Sequence, residues 1–183
     1  CYNEEDNVKI LIDRIAMVMQ SLPYNYEHIL IDNASSDQTV SIIKSIAETD
    51  KRIKLIVNAR NFGHIRSPYY ALLQARGVAC ISMASDLQDP PENIPLFIKK
   101  WEEGFKIVLA VKNISEENIL MNSVRRWFYK LINSISEVRL TNNATGSGLF
   151  DRKVIDILKE LNDPYPYFRG LLSEIGFPIA TIA

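Results

Sequence analysis

The chain has 183 residues, with 21 basic and 22 acidic side chains and a formal charge of −1. That balance excludes a general nucleic-acid binder, which carries a basic surplus to meet phosphates. Apolar residues at 47% and charged residues at 23% describe a globular chain with material for one sizeable core, not a disordered one.

In chain order, Val8, Leu11, Ile12, Ile15, Val18, Met19 and Leu22 recur at i, i+3, i+4 spacing and predict a helix. Glu4, Glu5 and Asp6 precede it, where the helix dipole favours negative charge, and Pro23 ends it. The run HILID at 28–32 predicts a buried strand, and 39–48 a helix with Asp37 near its cap. A strand follows at 53–57, then a helix at 67–76 with Pro68 in its first turn. The run 78–84 predicts a strand, followed by the polar DLQDPPE at 86–92. A helix is expected at 93–103, closed by Gly104, and a strand at 105–111. The last third predicts a long helix at 116–135, a polar loop at 141–148, a helix near 152–161 and a Pro/Tyr-rich turn at 163–168. No linker or internal repeat divides the chain, and no run of about 18 apolar residues is long enough to span a membrane.

Strands alternating with helices predict an α/β fold on a mainly parallel sheet. Such sheets bind ligands at the carboxyl ends of their strands. Polar residues gather at those ends: Asp32 and Asn33 after one strand, Asn61 after another, Asp86 after a third. DLQDPPE brings Asp86, Gln88, Asp89 and Glu92 within seven residues. Oxygen ligands on a turn stiffened by Pro90 and Pro91 suit Mg²⁺ or Mn²⁺, which take one or two carboxylates and leave other positions to substrate phosphates. By composition alone the same stretch equally serves as an acidic cap for the next helix. Asp32 is placed to accept hydrogen bonds from a base or ribose, and Ser36 and Asp37 to cap the helix that follows. Tyr2 and Glu4 sit where the chain turns into its first helix, open to either a stacking role or a plain helix start. His28 reads as structural. Two cysteines, Cys1 and Cys80, are too few for a disulfide framework or a cysteine zinc site and fit a reducing compartment. Cys80, inside a predicted strand, reads as core.

The ordered set CYNEEDN, IDNASSDQT, NARNFG at 58–63, SDLQDPPE at 85–92, GLFDRKVID at 148–156 and YFRGLLSEIGF at 167–177 resembles the family 2 glycosyltransferases of GT-A fold. The likeness is to the branch with dolichol-phosphate mannosyltransferase and the bacterial polyprenyl-phosphate glycosyltransferases. It covers nearly the whole chain, and DLQDPPE is its most specific member. The resemblance implies a GT-A, Rossmann-like central sheet, mainly parallel and flanked by helices. It implies sugar transfer from a nucleotide-diphosphate donor, a UDP-sugar favoured, to an acceptor, with Mg²⁺ or Mn²⁺ on the diphosphate. Carried over, Tyr2, Glu4, Asp32, Asn33 and Asn61 line the donor pocket, and Asp86 and Gln88 hold the metal or the donor phosphates. Arg125, Arg126 and Arg169 face acceptor phosphate groups, since guanidinium suits bidentate phosphate binding. Asp86 and Arg126 are the expected catalytic residues.

Three departures bear on this. Ala84 stands where the family's metal motif often has a first Asp, and Asn33-Ala34 where Asp-Gly is commoner. Gly146-Ser147-Gly148 stands where many relatives carry Asp-Phe-Arg, so the usual candidate base is absent. A sugar hydroxyl acceptor needs a base, worth roughly 10²–10⁴-fold. A phosphate monoester, with a second pKa near 6, is ionised already. A polyprenyl phosphate acceptor and direct inverting displacement follow as expectations. Two alternatives stay open: a soluble enzyme acting on a sugar hydroxyl, with Asp151 or Glu174 as base, and a degenerate relative that only binds nucleotide sugar. A Rossmann dehydrogenase is disfavoured by the absence of Gly-x-Gly-x-x-Gly. Residues 1–183 are expected to form one catalytic domain trimmed at both edges. The full-length protein is expected in the cytoplasm at the inner membrane face, meeting the membrane through segments outside this chain. The partners are nucleotide sugar and polyprenyl phosphate or glycan, not nucleic acid, and the oligomeric state is left open.

Overall fold

In the computed structural model residues 1–111 and 144–182 are described, residues 144–146 by their backbone alone. The helix expected at 116–135, with Arg125 and Arg126, lies outside the described residues. So does the start of the polar loop at 141–143.

The described elements alternate as the periodicity predicts. They run α1 (Val8–Gln20), β1 (His28–Asp32), α2 (Thr39–Thr49), β2 (Ile53–Val57), α3 (Gly63–Gln74) and β3 (Ala79–Ser82). A single 3-10 turn (Pro91–Asn93) leads into α4 (Ile94–Glu102) and β4 (Ile107–Val111). Then follow β5 (Ala144–Asp151), α5 (Arg152–Leu161), α6 (Phe168–Glu174) and β6 (Ile179–Ile182).

β1 and β2 pair in parallel, with Asp32 opposite Val57. A second sheet has the order β3-β5-β4-β6. Within it β4 and β6 are parallel, and β5 runs antiparallel to both β3 and β4. The α/β reading therefore stands, with one reversed strand inside an otherwise co-directional set. Both faces of the second sheet are buried, as helix-covered sheets require. On β4, Ile107 and Leu109 join Phe150, Leu158 and Leu172 under α3, α5 and α6. Val108 and Ala110 point the other way, into a cluster with Leu149 and Phe97 of α4. The β1–β2 pair has its own core of Val8, Ile12, Leu30, Ile43 and Ile53, supplied by α1 and α2. Each fully buried aliphatic or aromatic side chain contributes roughly 1.5–3 kcal/mol.

Two sequence expectations change, and one stretch without an expectation gains its elements. The stretch Ala144–Gly148, expected within a polar loop, is the first part of β5. Gly and Ser are poor strand formers in isolation. Here small size is what the position demands, because a Cβ on Gly148 would lie 2.9 Å from the Val108 carbonyl oxygen. Second, α3 begins at Gly63, so Pro68 is inside the helix and not in its first turn. Both Pro68 and His64 are exposed, so the carbonyl left without its N–H partner lies on the solvent side of the helix. Third, α6 and β6 occupy a stretch whose periodicity was too short to resolve.

His28 opens β1 with its Nδ1 buried and without a hydrogen-bond partner among the described residues. Burial pulls its pKa down to about 4, against a smaller opposite pull from Asp50. A base depressed in the folded state takes up a proton more readily when unfolded. The stabilising effect is whole above the unfolded value near 6.5 and is lost as pH falls toward 4. The loss is up to about 3 kcal/mol, at 1.36 kcal/mol per unit. Urea denaturation at pH 7 and pH 4.5 is expected to show this fall, and His28→Leu to flatten much of it.

Candidate active site

Topology places the predicted residues on one edge. α3 begins just beyond the end of β2 and ends just before β3, and it contacts both β1 and β3. β1, β2 and β3 therefore end on the side where α3 begins. β4 and β6 share the direction of β3, since β5 opposes β3 and β4 while β6 parallels β4. The shared carboxyl edge carries Asp32 as the last residue of β1 with Asn33 after it, Asn58–Gly63 after β2 and the 83–90 loop after β3.

The segment before α1 and the loop after β1 close on each other through reciprocal hydrogen bonds. The N–H of Asn3 donates to Ser35 Oγ at 2.9 Å, and the N–H of Ser36 returns a bond to Asn3 Oδ1 at 2.9 Å. The Glu5 N–H donates to Asp37 at 3.1 Å, and the Gln38 N–H to the Glu5 carboxylate at 2.8 Å. The Glu4 N–H donates to Thr39 Oγ1 at 2.8 Å, and Asp37 accepts from the Thr39 N–H at 3.0 Å. Thus CYNEEDN and IDNASSDQT, 30 residues apart, are one structural unit. Asp37 holds the N–H of Thr39, the first residue of α2, but the N-cap position is Gln38 and makes no side-chain cap bond, and Ser36, expected to share the capping, bonds Asn3 instead. Cys1 joins the unit: its nitrogen donates to the Ile31 carbonyl at 2.7 Å, and its carbonyl accepts from the Asn33 N–H at 2.9 Å. These bonds straddle Asp32 in parallel-ladder fashion.

Asp32 itself is fully buried. Its carboxylate accepts from the Ser35 N–H at 3.0 Å and from Ser35 Oγ at 2.5 Å. Both oxygens thus hold the turn that follows β1, an Asx-type arrangement. Tyr2 is 51% exposed, open for stacking. Glu4 is half-buried, with one oxygen bonded by Asn7 Nδ2 at 2.8 Å.

Asn33 is the junction between β1 and the Asn-Phe-Gly loop. Its Nδ2 donates to Asn61 Oδ1 at 2.9 Å and to the Gly63 carbonyl at 3.3 Å. Its Oδ1 accepts from the Phe62 N–H at 2.8 Å and from Asn58 Nδ2 at 3.2 Å. Asn58 in turn reaches Ser67 Oγ at 2.9 Å. All of the Asn33 amide's capacity is used within the fold. Gly63 has φ +84°, and its N–H donates to Asn61 Oδ1 at 2.8 Å. That backbone form suits glycine.

Ala34 has φ +66°, a left-handed conformation that costs an L-residue roughly 1–2 kcal/mol. Ala34→Gly is expected to relieve this. Part of the gain is offset by the greater freedom of glycine in the unfolded chain, so a net rise of about 0.5–1 kcal/mol should appear in urea denaturation.

The DLQDPPE cluster splits in the fold. Asp86 and Gln88 are exposed at the edge, with Asp86 Oδ1 accepting from the Gln88 N–H at 3.1 Å. Asp89 accepts from buried Ser147 Oγ of β5 at 2.7 Å. Glu92 faces α1, its two oxygens accepting from Nε and Nη2 along one edge of the Arg14 guanidinium. Among the described residues no three acidic, histidine or cysteine side chains converge as a metal cage. The donor set at Asp86 and Gln88 fits a Mg²⁺-like ion that keeps most positions for water and substrate phosphate.

Asp151 is excluded as a base. It ends β5 opposite Ala79, the first residue of β3, on the far edge of the sheet. Burial raises its pKa, but bonds from Trp101 Nε1 (2.7 Å), the Lys153 N–H (3.0 Å) and Lys106 (3.1 Å) outweigh that and hold it below the usual range. It caps α5. Glu174, at the end of α6, leads toward Ile179, which lies opposite the first residue of β4. Arg169, in the first turn of α6, is exposed. Burial pushes the Cys80 thiol up to about 11, which leaves it a poor nucleophile. The sequence reading missed the frame roles of Asn3, Asn58, Ser67 and Ser147. Asn3 and Asn58 lay inside the quoted motifs, but their partners are distant in sequence.

Residues 1–158 match the Glycosyl transferase family 2 profile. The chain is 34% identical over 177 residues to the glycosyltransferase YkcC of Bacillus subtilis, covering 96% of this chain and 55% of that protein. It is 34% identical to a bactoprenol glucosyl transferase of Shigella phage SfV, covering 96% of this chain and 57% of that one. The chain therefore spans about half the length of the curated relatives it matches. In three dimensions it resembles the mannosyltransferase PcManGT of Pyrobaculum calidifontis, solved with GDP-Man and Mn²⁺. The TM-score is 0.63 at 19% identity, over 100% of this chain and 52% of that one. With the family profile covering most of its length, the chain belongs to glycosyl transferase family 2.

Proposed function

We propose that residues 1–183 form the catalytic domain of an inverting glycosyltransferase. It moves a sugar from a nucleotide-diphosphate donor, a UDP-sugar, to a polyprenyl phosphate. The observation that carries the acceptor assignment is Asp151. This fallback base is turned to the opposite edge and saturated by Trp101, Lys106 and the Lys153 N–H. A hydroxyl acceptor needs a base, whereas a phosphate monoester is ionised near neutrality and attacks without one. The relative named a bactoprenol glucosyl transferase supports the same acceptor class.

In this reading Tyr2 and Glu4 line the nucleoside pocket. Asp32 and Asn33 act by fixing its walls, and Asn61 borders it. Asp86 and Gln88 hold a divalent ion, Mg²⁺ or Mn²⁺, on the donor diphosphate. When bound, that ion neutralises charge on the departing diphosphate. The protein positions donor and acceptor phosphate for in-line displacement at the anomeric carbon. Arg125, Arg126 and Arg169 are assigned to the acceptor side. Among the described residues no helix is long and apolar enough to cross a membrane. We assign the enzyme to the cytoplasmic face of the membrane, where nucleotide sugar and polyprenyl phosphate meet.

The test is a transfer assay with full-length protein, Mn²⁺, a panel of labelled nucleotide sugars and either polyprenyl phosphate or a free sugar acceptor. Product on the lipid phosphate with inverted anomeric configuration is expected. Transfer to sugar hydroxyls alone, or a retained configuration, overturns the reading.

A further inference from the structure

The carboxyl edge also carries cationic and aromatic side chains that the donor pocket does not use. The Arg60 guanidinium carbon lies 4.1 Å from the Phe62 ring centroid. Arg66, on α3, lies 5.5 Å from the same ring and 4.6 Å from that of Tyr165. Significant cation–π contacts occur about once per 70–80 residues, so three on one spot mark a built feature. Chain direction explains the meeting. α5 starts beside the end of α3, where Arg152 reaches the Gly77 and Ala75 carbonyls. Running back along α3, it delivers Tyr165 to the start of that helix.

Stacking occupies the face of a guanidinium and leaves its in-plane N–H groups for an oxyanion. Among the described residues the one other bond these guanidiniums make runs from Arg60 to the Asn61 carbonyl at 3.2 Å. The ion pairs among the described residues involve neither arginine. Tyr165, stacked on Arg66, is 74% exposed, and Ile65, next to Arg66 in the chain, is 46% exposed. Two forks for an anion next to uncovered aromatic and apolar surface fit a ligand with a phosphate head and a hydrocarbon tail.

We propose that Arg60 and Arg66, held by Phe62 and Tyr165, form a binding site for a lipid phosphate monoester. This deepens the acceptor assignment and rests on it for the identity of the lipid. The chemistry is shared by the acceptor and by free phosphate, and the experiment separates them.

Detergent-solubilised full-length protein is titrated calorimetrically with farnesyl phosphate, farnesol and inorganic phosphate, alongside the transfer assay. Farnesyl phosphate is expected to bind, farnesol not, and inorganic phosphate far more weakly. Arg66→Gln and Arg60→Gln are each expected to raise the farnesyl phosphate Kd about tenfold or more, the usual weight of a charge-assisted bond. Arg66→Lys recovers part of the loss, and UDP-sugar affinity stays unchanged in all three, which also reports that the variants are folded. An unchanged Kd in the double variant overturns the proposal, as does farnesol binding as well as its phosphate. If the wild type transfers sugar to the lipid phosphate while the double variant keeps its acceptor KM, this site is wrong and the proposed function stands. If both arginines are needed for farnesyl phosphate binding but sugar goes only to hydroxyls, the site stands and the proposed acceptor falls.

Discussion

Asp86→Ala is expected to abolish metal-dependent donor binding and to lower kcat/KM by at least about 100-fold. Asp86 is the exposed carboxylate that follows β3, and one of its oxygens is braced by the Gln88 N–H. Its neighbours cannot substitute where they stand. Asp89 is tied to Ser147, Glu92 to Arg14, and position 84 is an alanine. A divalent ion on a transferring diphosphate is worth several kcal/mol of charge stabilisation, and each 1.36 kcal/mol is tenfold in rate. Calorimetry with a UDP-sugar, with and without Mn²⁺, reads the binding. Donor affinity that stays Mn²⁺-dependent and undiminished in Asp86→Ala sinks the assignment. Asp86→Asn keeps an oxygen ligand without the charge and is expected to fall between the two.

Asn33→Ala is expected to lower stability by about 3 kcal/mol and to weaken donor binding with it. The side chain is buried and makes four hydrogen bonds to Asn58, Asn61, Phe62 and Gly63. Each such bond is worth roughly 0.5–1.5 kcal/mol net, and a buried donor or acceptor left unpaired costs more. The Phe62 N–H and Asn58 amide would both lose an acceptor. Urea denaturation measures the stability, and the donor KM reports the loop. A change under 1 kcal/mol would mean that the loop is held by other contacts. Phe62 carries the Arg60 and Arg66 stack, so comparing this variant with Arg66→Gln separates loop anchoring from lipid-phosphate binding. Here both decline together, whereas Arg66→Gln affects only the second.

The alternation of strands and helices was readable because β1 and β2 are short, mainly apolar runs between polar segments, and α5 buries Val154, Ile155 and Leu158 on one helical face. The motif set announced the family because its pieces keep their order along the chain. β5 was not readable. Gly-Ser-Gly at 146–148 has little strand propensity, and its small residues matter only because β4 comes so close that a Cβ at 148 meets the Val108 carbonyl. The start of α3 was misplaced for a related reason: a proline reads as a first-turn residue until the solvent side of the helix is known.

Within the site, residue order alone shows which chemical groups gather at strand ends, because a loop after a buried strand must bring its polar residues to the edge. Folding then sets which of those groups remain available there. Asp32 and Asn33 turned inward, their polar atoms satisfied by Ser35 and by the loop after β2. Glu92 and Asp89 were taken by Arg14 and Ser147, leaving Asp86 and Gln88 outward. Asp151 went to the opposite edge because β5 runs against its neighbours. Those partners lie from 3 to 78 residues away along the chain. Hydrogen-bond capacity is local to a residue, but its satisfaction depends on what folding brings within about 3 Å.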